Sequence, residues 1–183
     1  MSHAKTEDQW IILDRLADLI LRGVDGCIVD IGIGLSTIIL SRYSIKFKRQ
    51  HYSCDKSRKV IDYYIPKGGI HPDHTVTCCD ALEFTKSFKA RPALVFIDGF
   101  HYYDDVIIQV DYFLQRMRFG SVLFLHDTCP PSRLVRLDGA KCGNVYRARL
   151  DLESRKDVCT FTWPYKFQAQ GCGLTMVMKW SVI

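Results

Sequence analysis

Five short strand-like segments recur along this chain, the first and fourth of them apolar runs, each followed by a segment with helical spacing, and four of the five run into an aspartate: Asp30, Asp55, Asp98 and Asp127. Apolar runs of this length, without a polar residue at every second position, are how strands buried on both faces of a parallel sheet read. Strand then helix, five times over, predicts an α/β fold with a mostly parallel sheet and helices on both faces. In such sheets ligands sit beyond the carboxyl ends of the strands, which is where the four aspartates fall.

The first run is the most informative. Cys27 to Ser41 reads CIVDIGIGLSTIILS: a buried strand ending in Asp30, Gly32 and Gly34, then Ser36 and Thr37 opening a helix. Two glycines one residue apart let the backbone turn tightly and let a nucleotide approach, with free helix N–H groups facing the same crevice. The same residues also suit a strand, turn and helix with no ligand. Ahead of this stretch, Thr6 to Gln9 has the form of a capping box. Apolar positions from Ile12 to Ile20 then trace one helical face, expected to cover the sheet edge or the ligand mouth.

The second run, His51 to Cys54, ends at Asp55, about 20 residues past the glycines, where an acidic residue accepts hydrogen bonds from ribose hydroxyls. Lys56 to Ile65 has helical character and is expected to close at Pro66 and Gly68-Gly69. His74 to Cys78 is followed by Asp80 and a short helix from Ala81 to Phe88. Ala93 to Ile97 runs into Asp98-Gly99-Phe100-His101 and then a long amphipathic helix, with Asp104 and Asp105 at its start and Arg116 and Arg118 at its end. Ser121 to Leu125 runs into His126-Asp127-Thr128. The tail predicts a helix over 143–155 and two late strands whose short connection implies an antiparallel addition at the sheet edge. One domain over 1–183 is the simplest account.

Composition narrows the class. With 48% hydrophobic and 25% charged residues, the chain reads as an ordinary globular protein; no apolar run reaches membrane-spanning length, and the acidic N-terminus is not a secretory signal, so a cytoplasmic location is expected. A net charge of +5 is spread out, with local clusters at Lys46, Lys48, Arg49 and at Lys56, Arg58, Lys59, so nucleic acid is not the favoured partner. Cys27, Cys54, Cys78 and Cys79 fall in or beside predicted buried strands, which argues for packing rather than a disulfide framework, and no C-x-x-C pair points to zinc.

These residues together resemble class I S-adenosylmethionine-dependent methyltransferases. VDIGIGLST is similar to that family's first motif, Asp55 to the acidic residue after its second strand, and CCDALEF to its adenine-contacting stretch. FIDGFHYYDDVIIQVDYFL with FGSVLFLHDT resembles the subgroup of small-molecule O-methyltransferases and cephalosporin-hydroxylase-like proteins. The resemblance implies a Rossmann-like methyltransferase fold of seven strands with an antiparallel C-terminal strand. It also implies S-adenosylmethionine as cofactor, with Asp30, Gly32, Gly34 and Ser36 along its methionine and ribose part, Asp55 on the ribose hydroxyls, and Asp80 with Ala81 at the adenine. Two positions depart from the pattern: Ser36 stands for a third glycine, and Thr128 stands where the subgroup often has a polar or acidic residue.

Methyl transfer from a sulfonium is an in-line displacement, so the protein must chiefly align the acceptor and deal with its proton. Asp98 and His101 are the candidate catalytic residues. Asp98 and Asp127, both hard oxygen donors, are candidate ligands for Mg²⁺. Alternation along the fifth strand turns His126 to the opposite face from Asp127, as a structural histidine. Tyr103 reads as core, and Trp163, Pro164 and Tyr165 would roof an acceptor pocket. The expected activity is methyl transfer to an O or N of a small molecule or sugar-like acceptor; the short chain leaves little for a substrate lid, so the acceptor is expected to be bound partly by a partner subunit or to be exposed on a larger polymer. The alternatives are a catalytically inactive cofactor- or nucleotide-binding protein on the same fold, and a nucleic-acid methyltransferase.

Overall fold

The computed structural model describes residues 8–68, 71–132, 136, 142–164 and 172–180. The apolar runs form the sheet: β1 (Cys27–Ile31), β2 (His51–Asp55), β3 (His74–Cys78), β4 (Pro92–Ile97) and β5 (Val122–His126) are mutually parallel. Two later strands, β6 (Val158–Trp163) and β7 (Leu174–Lys179), complete the order β3-β2-β1-β4-β5-β7-β6. The expected antiparallel addition at the sheet edge is present: β7 lies between β5 and β6, antiparallel to both, so β6 is the edge strand.

Side-chain alternation splits the core into two layers. Ile28, Leu94, Phe96 and Phe124 point to one face, where they meet α1 (Asp8–Gly23) and α2 (Leu35–Phe47); α3 (Arg58–Gly68) packs beside α2. Val29, Ile31, Val95, Ile97, Leu123 and Leu125 point to the other, under α4 (Ala81–Ser87), α5 (Tyr103–Arg116) and α6 (Tyr146–Ser154). β1 and β4 are buried at every position, which is why they read as apolar runs, broken in β1 only by the buried Asp30.

Several expectations change here. α1 does not cover a sheet edge: Leu13, Ala17 and Leu21 are fully buried over the middle of the sheet, against Ile28, Leu94 and Phe96. Thr6 of the capping box lies outside the described residues. α3 carries Pro66 in its last turn instead of stopping before it, giving up the bond a residue-66 N–H would make to the Asp62 carbonyl. Cys27 and Cys54 are buried free thiols, as their place in the strands predicts; Cys78 is instead exposed, and Cys142 and Cys172 form a disulfide.

Two buried polar groups give the fold opposite responses to pH. At the start of β2 and β3, the rings of His51 and His74 stack 4.0 Å apart, and the Ser53 hydroxyl bridges their Nε2 atoms at 3.2 and 2.8 Å. Burial holds His51 well below the usual imidazole range, helped by neighbouring His74; burial and His71 lower His74 to about 4. The unfolded chain therefore takes up protons near pH 6.5 that the folded chain refuses until about pH 4, and stability falls as pH drops through that window.

At the β1–α2 junction, Asp30 is fully buried and accepts from Ser36 Oγ at 3.0 Å and from Thr37 Oγ1; Thr37 Oγ1 in turn accepts from Gly34 N at 3.0 Å. Burial pushes the Asp30 carboxyl up to about 7, against the two hydroxyl donors and with a further push from Asp98 and Asp55. Between pH 3.8 and 7 the folded state holds a proton that the unfolded state has lost, so this contribution to stability is lost as pH rises.

Denaturant unfolding across pH separates the two. His74→Gln should flatten the acid flank between pH 6.5 and 4 by about 2 kcal/mol, allowing for its partial exposure. Asp30→Asn should gain on the wild type from pH 4 to pH 8, by an amount on the order of 4 kcal/mol. Parallel curves for either variant would show that the group does not titrate as its surroundings dictate.

Candidate functional site

The strand register brings the site together. Ile31 pairs with Cys54 and with Ile97, and Ile97 with Leu125, so the residues that follow each strand stand side by side at one end of the sheet. The ladder continues past the strand ends, through Gly32 N to Cys54 O at 3.0 Å and Asp98 N to Ile31 O at 2.7 Å. Gly32 has φ +89°, and a Cβ there would stand 2.0 Å from the Asp98 carbonyl oxygen. The two glycines of the turn thus differ in kind. Gly34 has extended φ, and a Cβ there would meet nothing within 4 Å.

A cleft of about 540 Å³ opens beside this turn, a size that accommodates a small-molecule ligand. Of the residues picked out from sequence, Gly32, Asp55, Asp80, Ala81, Asp98 and His101 line it. Asp30 and Ser36 do not. They lie buried beneath the glycine turn, bonded to each other, where they hold the start of α2. Gly34 is not part of the lining.

Each lining carboxylate is fixed by a different device. Asp55 accepts from Ile33 N at 3.2 Å and from Ser57 N at 2.7 Å, so the glycine turn and the start of α3 both aim it. Asp80 is the N-cap of α4, accepting from Leu82 N at 2.8 Å and Glu83 N at 3.4 Å. Lys56 places its ammonium 3.4 Å from the centre of the Phe100 ring, and Phe100 stacks on the exposed Tyr102, which gives the mouth of the cleft an aromatic wall with a cation on it.

Deeper in, Asp98, His101, His126 and Asp127 form one cluster, with donor atoms within 4.8 Å of one another. Asp98 Oδ1 lies 3.1 Å from His101 Nε2 and 2.9 Å from His126 Nδ1. Burial alone would raise the Asp98 carboxyl, but the charge of His126 and hydrogen bonds from both imidazoles hold it below the ordinary value. His126 shifts the other way: burial lowers it, and Asp98 with Asp127 more than restore it, leaving it raised.

His126 therefore faces the cluster, contrary to the alternation rule. β5 ends at His126, and Asp127 sits at φ +58°, a left-handed turn that breaks the period of two and swings both side chains to one side. The indole of Trp10 stacks on the His126 ring at 5.4 Å, so α1 backs the cluster from behind. Thr128 turns away, with its hydroxyl 2.6 Å from that of Thr175 on β7. Tyr103 is only half-buried, and its hydroxyl donates to Asp151. Trp163 packs against the core layer under α1 and Phe161, outside the cleft lining; Tyr165 lies outside the described residues.

Two lining residues carry no signal in the sequence. Gly143 and Asn144 come from the segment before α6, and Asn144 N donates to His101 O at 3.0 Å while Asn144 Oδ1 accepts from Tyr103 N at 2.6 Å. A residue 41 positions from its partner leaves no spacing rule to find it by.

No curated protein is a detectable relative of the sequence. Solved structures share the fold. An O-methyltransferase from Bacillus cereus in complex with SAH superposes with a TM-score of 0.72 at 17% identity, covering 98% of this chain and 84% of that one. The O-methyltransferase TomG from Streptomyces achromogenes, in complex with SAM, gives 0.67 at 18% identity over 93% and 79%. An rRNA methylase from Streptococcus thermophilus gives 0.64 at 12% identity over 91% and 95%. The sequence itself matches the methyltransferase-domain family over residues 29–128, from the middle of β1 to the residue beyond Asp127. That span holds the glycine turn, Asp55, Asp80, Asp98, His101 and Asp127, and the chain belongs to the methyltransferase-domain family.

Proposed function

We propose that this methyltransferase binds S-adenosylmethionine in the cleft beside Gly32 and transfers its methyl group to an oxygen or nitrogen of a small-molecule or sugar-like acceptor. The observation that carries the reading is Asp55, a carboxylate on the cleft wall aimed by the N–H groups of Ile33 and Ser57. So held, it accepts hydrogen bonds from two adjacent ribose hydroxyls. Asp80 and Ala81 also line the cleft and are the residues proposed to receive the adenine, while Gly32 lines it where the methionine part would lie. The SAH and SAM held by the B. cereus and S. achromogenes proteins of this fold support the choice of cofactor.

The cofactor supplies a methyl group on a positively charged sulfur; the chain supplies alignment and a place for the acceptor's proton. Asp98 accepts from His101 Nε2 and fixes the ring, and His101 is the group that takes the acceptor proton in this reading. The imidazolium so formed lies between two carboxylates, with Nδ1 3.7 Å from Asp127 Oδ2. Asp98 thereby serves His101 as a buried aspartate serves the histidine of a hydrolytic triad.

A divalent cation also fits the cluster; Asp98 and Asp127 would hold Mg²⁺ through oxygen, and it would supply Lewis acidity to an acceptor hydroxyl. The two imidazoles make the donor set better suited to Mn²⁺ or Zn²⁺ than to Mg²⁺.

Nucleic acid is the weaker acceptor class. The basic stretch ending α2 is largely neutralised by α1 and its following turn, through Arg42–Asp14, Lys46–Asp18 and Arg49–Asp25 pairs at 3.1, 2.5 and 2.8 Å. A cytoplasmic location is favoured by the six free cysteines among eight.

Calorimetric titration with SAH tests the cofactor reading. The wild type should bind, and Asp55→Ala should weaken binding by a factor on the order of 100, the equivalent of about two charge-assisted hydrogen bonds. Absence of binding by the wild type would sink the reading. With an acceptor found by screening, His101→Gln should lower turnover by about 10² to 10⁴ with SAH affinity within a few fold, and an unchanged rate would remove His101 as the base.

A further inference from the structure

We propose that the Cys142–Cys172 disulfide is a redox latch that holds the wall of the cleft, and that its reduction loosens the site. The bond joins two segments 30 residues apart, and each segment fixes one member of the deep cluster. On one side, Gly143 sits at φ +56° with its Cβ position 2.1 Å from the His101 carbonyl, so the backbone lies flat against the His101 turn. Asn144 then clamps that turn from both ends, donating to His101 O at 3.0 Å and accepting from Tyr103 N at 2.6 Å. On the other side, Cys172 N donates to Asp127 Oδ1 at 2.8 Å, and Cys172 O accepts from Cys129 N. One covalent bond thus couples the segment that positions His101 to the residue that positions Asp127.

The sulfurs are also placed to act on the cluster directly. Both cysteines are almost wholly buried, and their sulfur atoms lie within 4.8 Å of an Asp127 carboxylate oxygen. A dithiol reductant donates two electrons and two protons: the Cys142–Cys172 bond breaks, two thiols form, and the reductant closes to its own disulfide. Two S–H groups then stand beside Asp127 and compete with Cys172 N–H for its oxygen, while the tether between the two segments is gone. The remaining six cysteines are free, so this one bond is not part of a general disulfide framework.

The functional consequence rests on the reading of the cleft as the reaction site, and the test separates the two. Hydrogen exchange read by mass spectrometry would compare the full-length protein oxidised and after dithiothreitol, with thiol titration counting six and eight free thiols respectively. Peptides covering Tyr103, Asn144 and Cys172 should exchange at least ~10-fold faster on reduction, while peptides in β2 and β4 stay unchanged. Cys142→Ala/Cys172→Ala should show the fast pattern with or without reductant, and where that variant does not fold, reduced wild type supplies the same comparison. SAH affinity should fall severalfold on reduction. Equal exchange in the two states, or eight free thiols before reduction, overturns the latch. A clear exchange difference with no SAH binding in either state overturns the reading of the cleft and leaves the latch standing.

Discussion

The close approach of β1 and β4 at Gly32 is the constraint on which the site depends. With a Cβ position 2.0 Å from the Asp98 carbonyl, no other residue fits there without prying the two central strands apart. That contact sets the height of Asp98 relative to the glycine turn, and the Gly32 N–H to Cys54 carbonyl bond sets β2, and with it Asp55, on the other side. Three strand ends are thus locked by backbone alone. Side chains on this frame need only point the right way.

Four aspartates follow or close neighbouring elements here, and their environments give them four roles. Asp30 is buried under the turn, where burial raises it to about 7 and two hydroxyls hold it. Asp55 faces two backbone N–H groups, Asp80 caps a helix, and Asp98 lies between two imidazoles that keep it ionised despite burial. The chemistry is set less by residue type than by which donors each carboxylate meets. An aspartate with hydroxyl donors and no cation nearby is a structural brace; one between histidines is a poised anion.

β4 and β5 are legible in the sequence because burial on both faces leaves an apolar run, whereas the less buried β2 and β3 are legible from the strand–helix alternation they continue. Gly32, Asp55, Asp80 and Asp98 are legible because each stands at or just past the end of a strand in that alternation. His126 is not. The period of two that assigns it to the far face holds only while the strand lasts, and the positive φ of Asp127 ends it one residue early. Nor is the pairing of Cys142 with Cys172 legible, because it arises only when β7 inserts between β5 and β6 and brings the start of β7 beside the end of β5. Local patterns carry no trace of a contact made by that insertion.

The same insertion explains why the deep cluster forms at all. A β5 with no neighbour beyond it would leave Asp127 at a free sheet edge, open to solvent and with nothing to hold its left-handed turn. With β7 antiparallel alongside, His126 pairs with Leu174, Thr128 finds Thr175, and Cys172 N reaches back to the Asp127 carboxylate. The antiparallel strand therefore does more than extend the sheet. It closes the far wall around Asp127, so that His101, coming from β4, meets a second carboxylate opposite Asp98. His101 thus stands between two carboxylates, one supplied by the parallel half of the sheet and one held by the strand that runs against it.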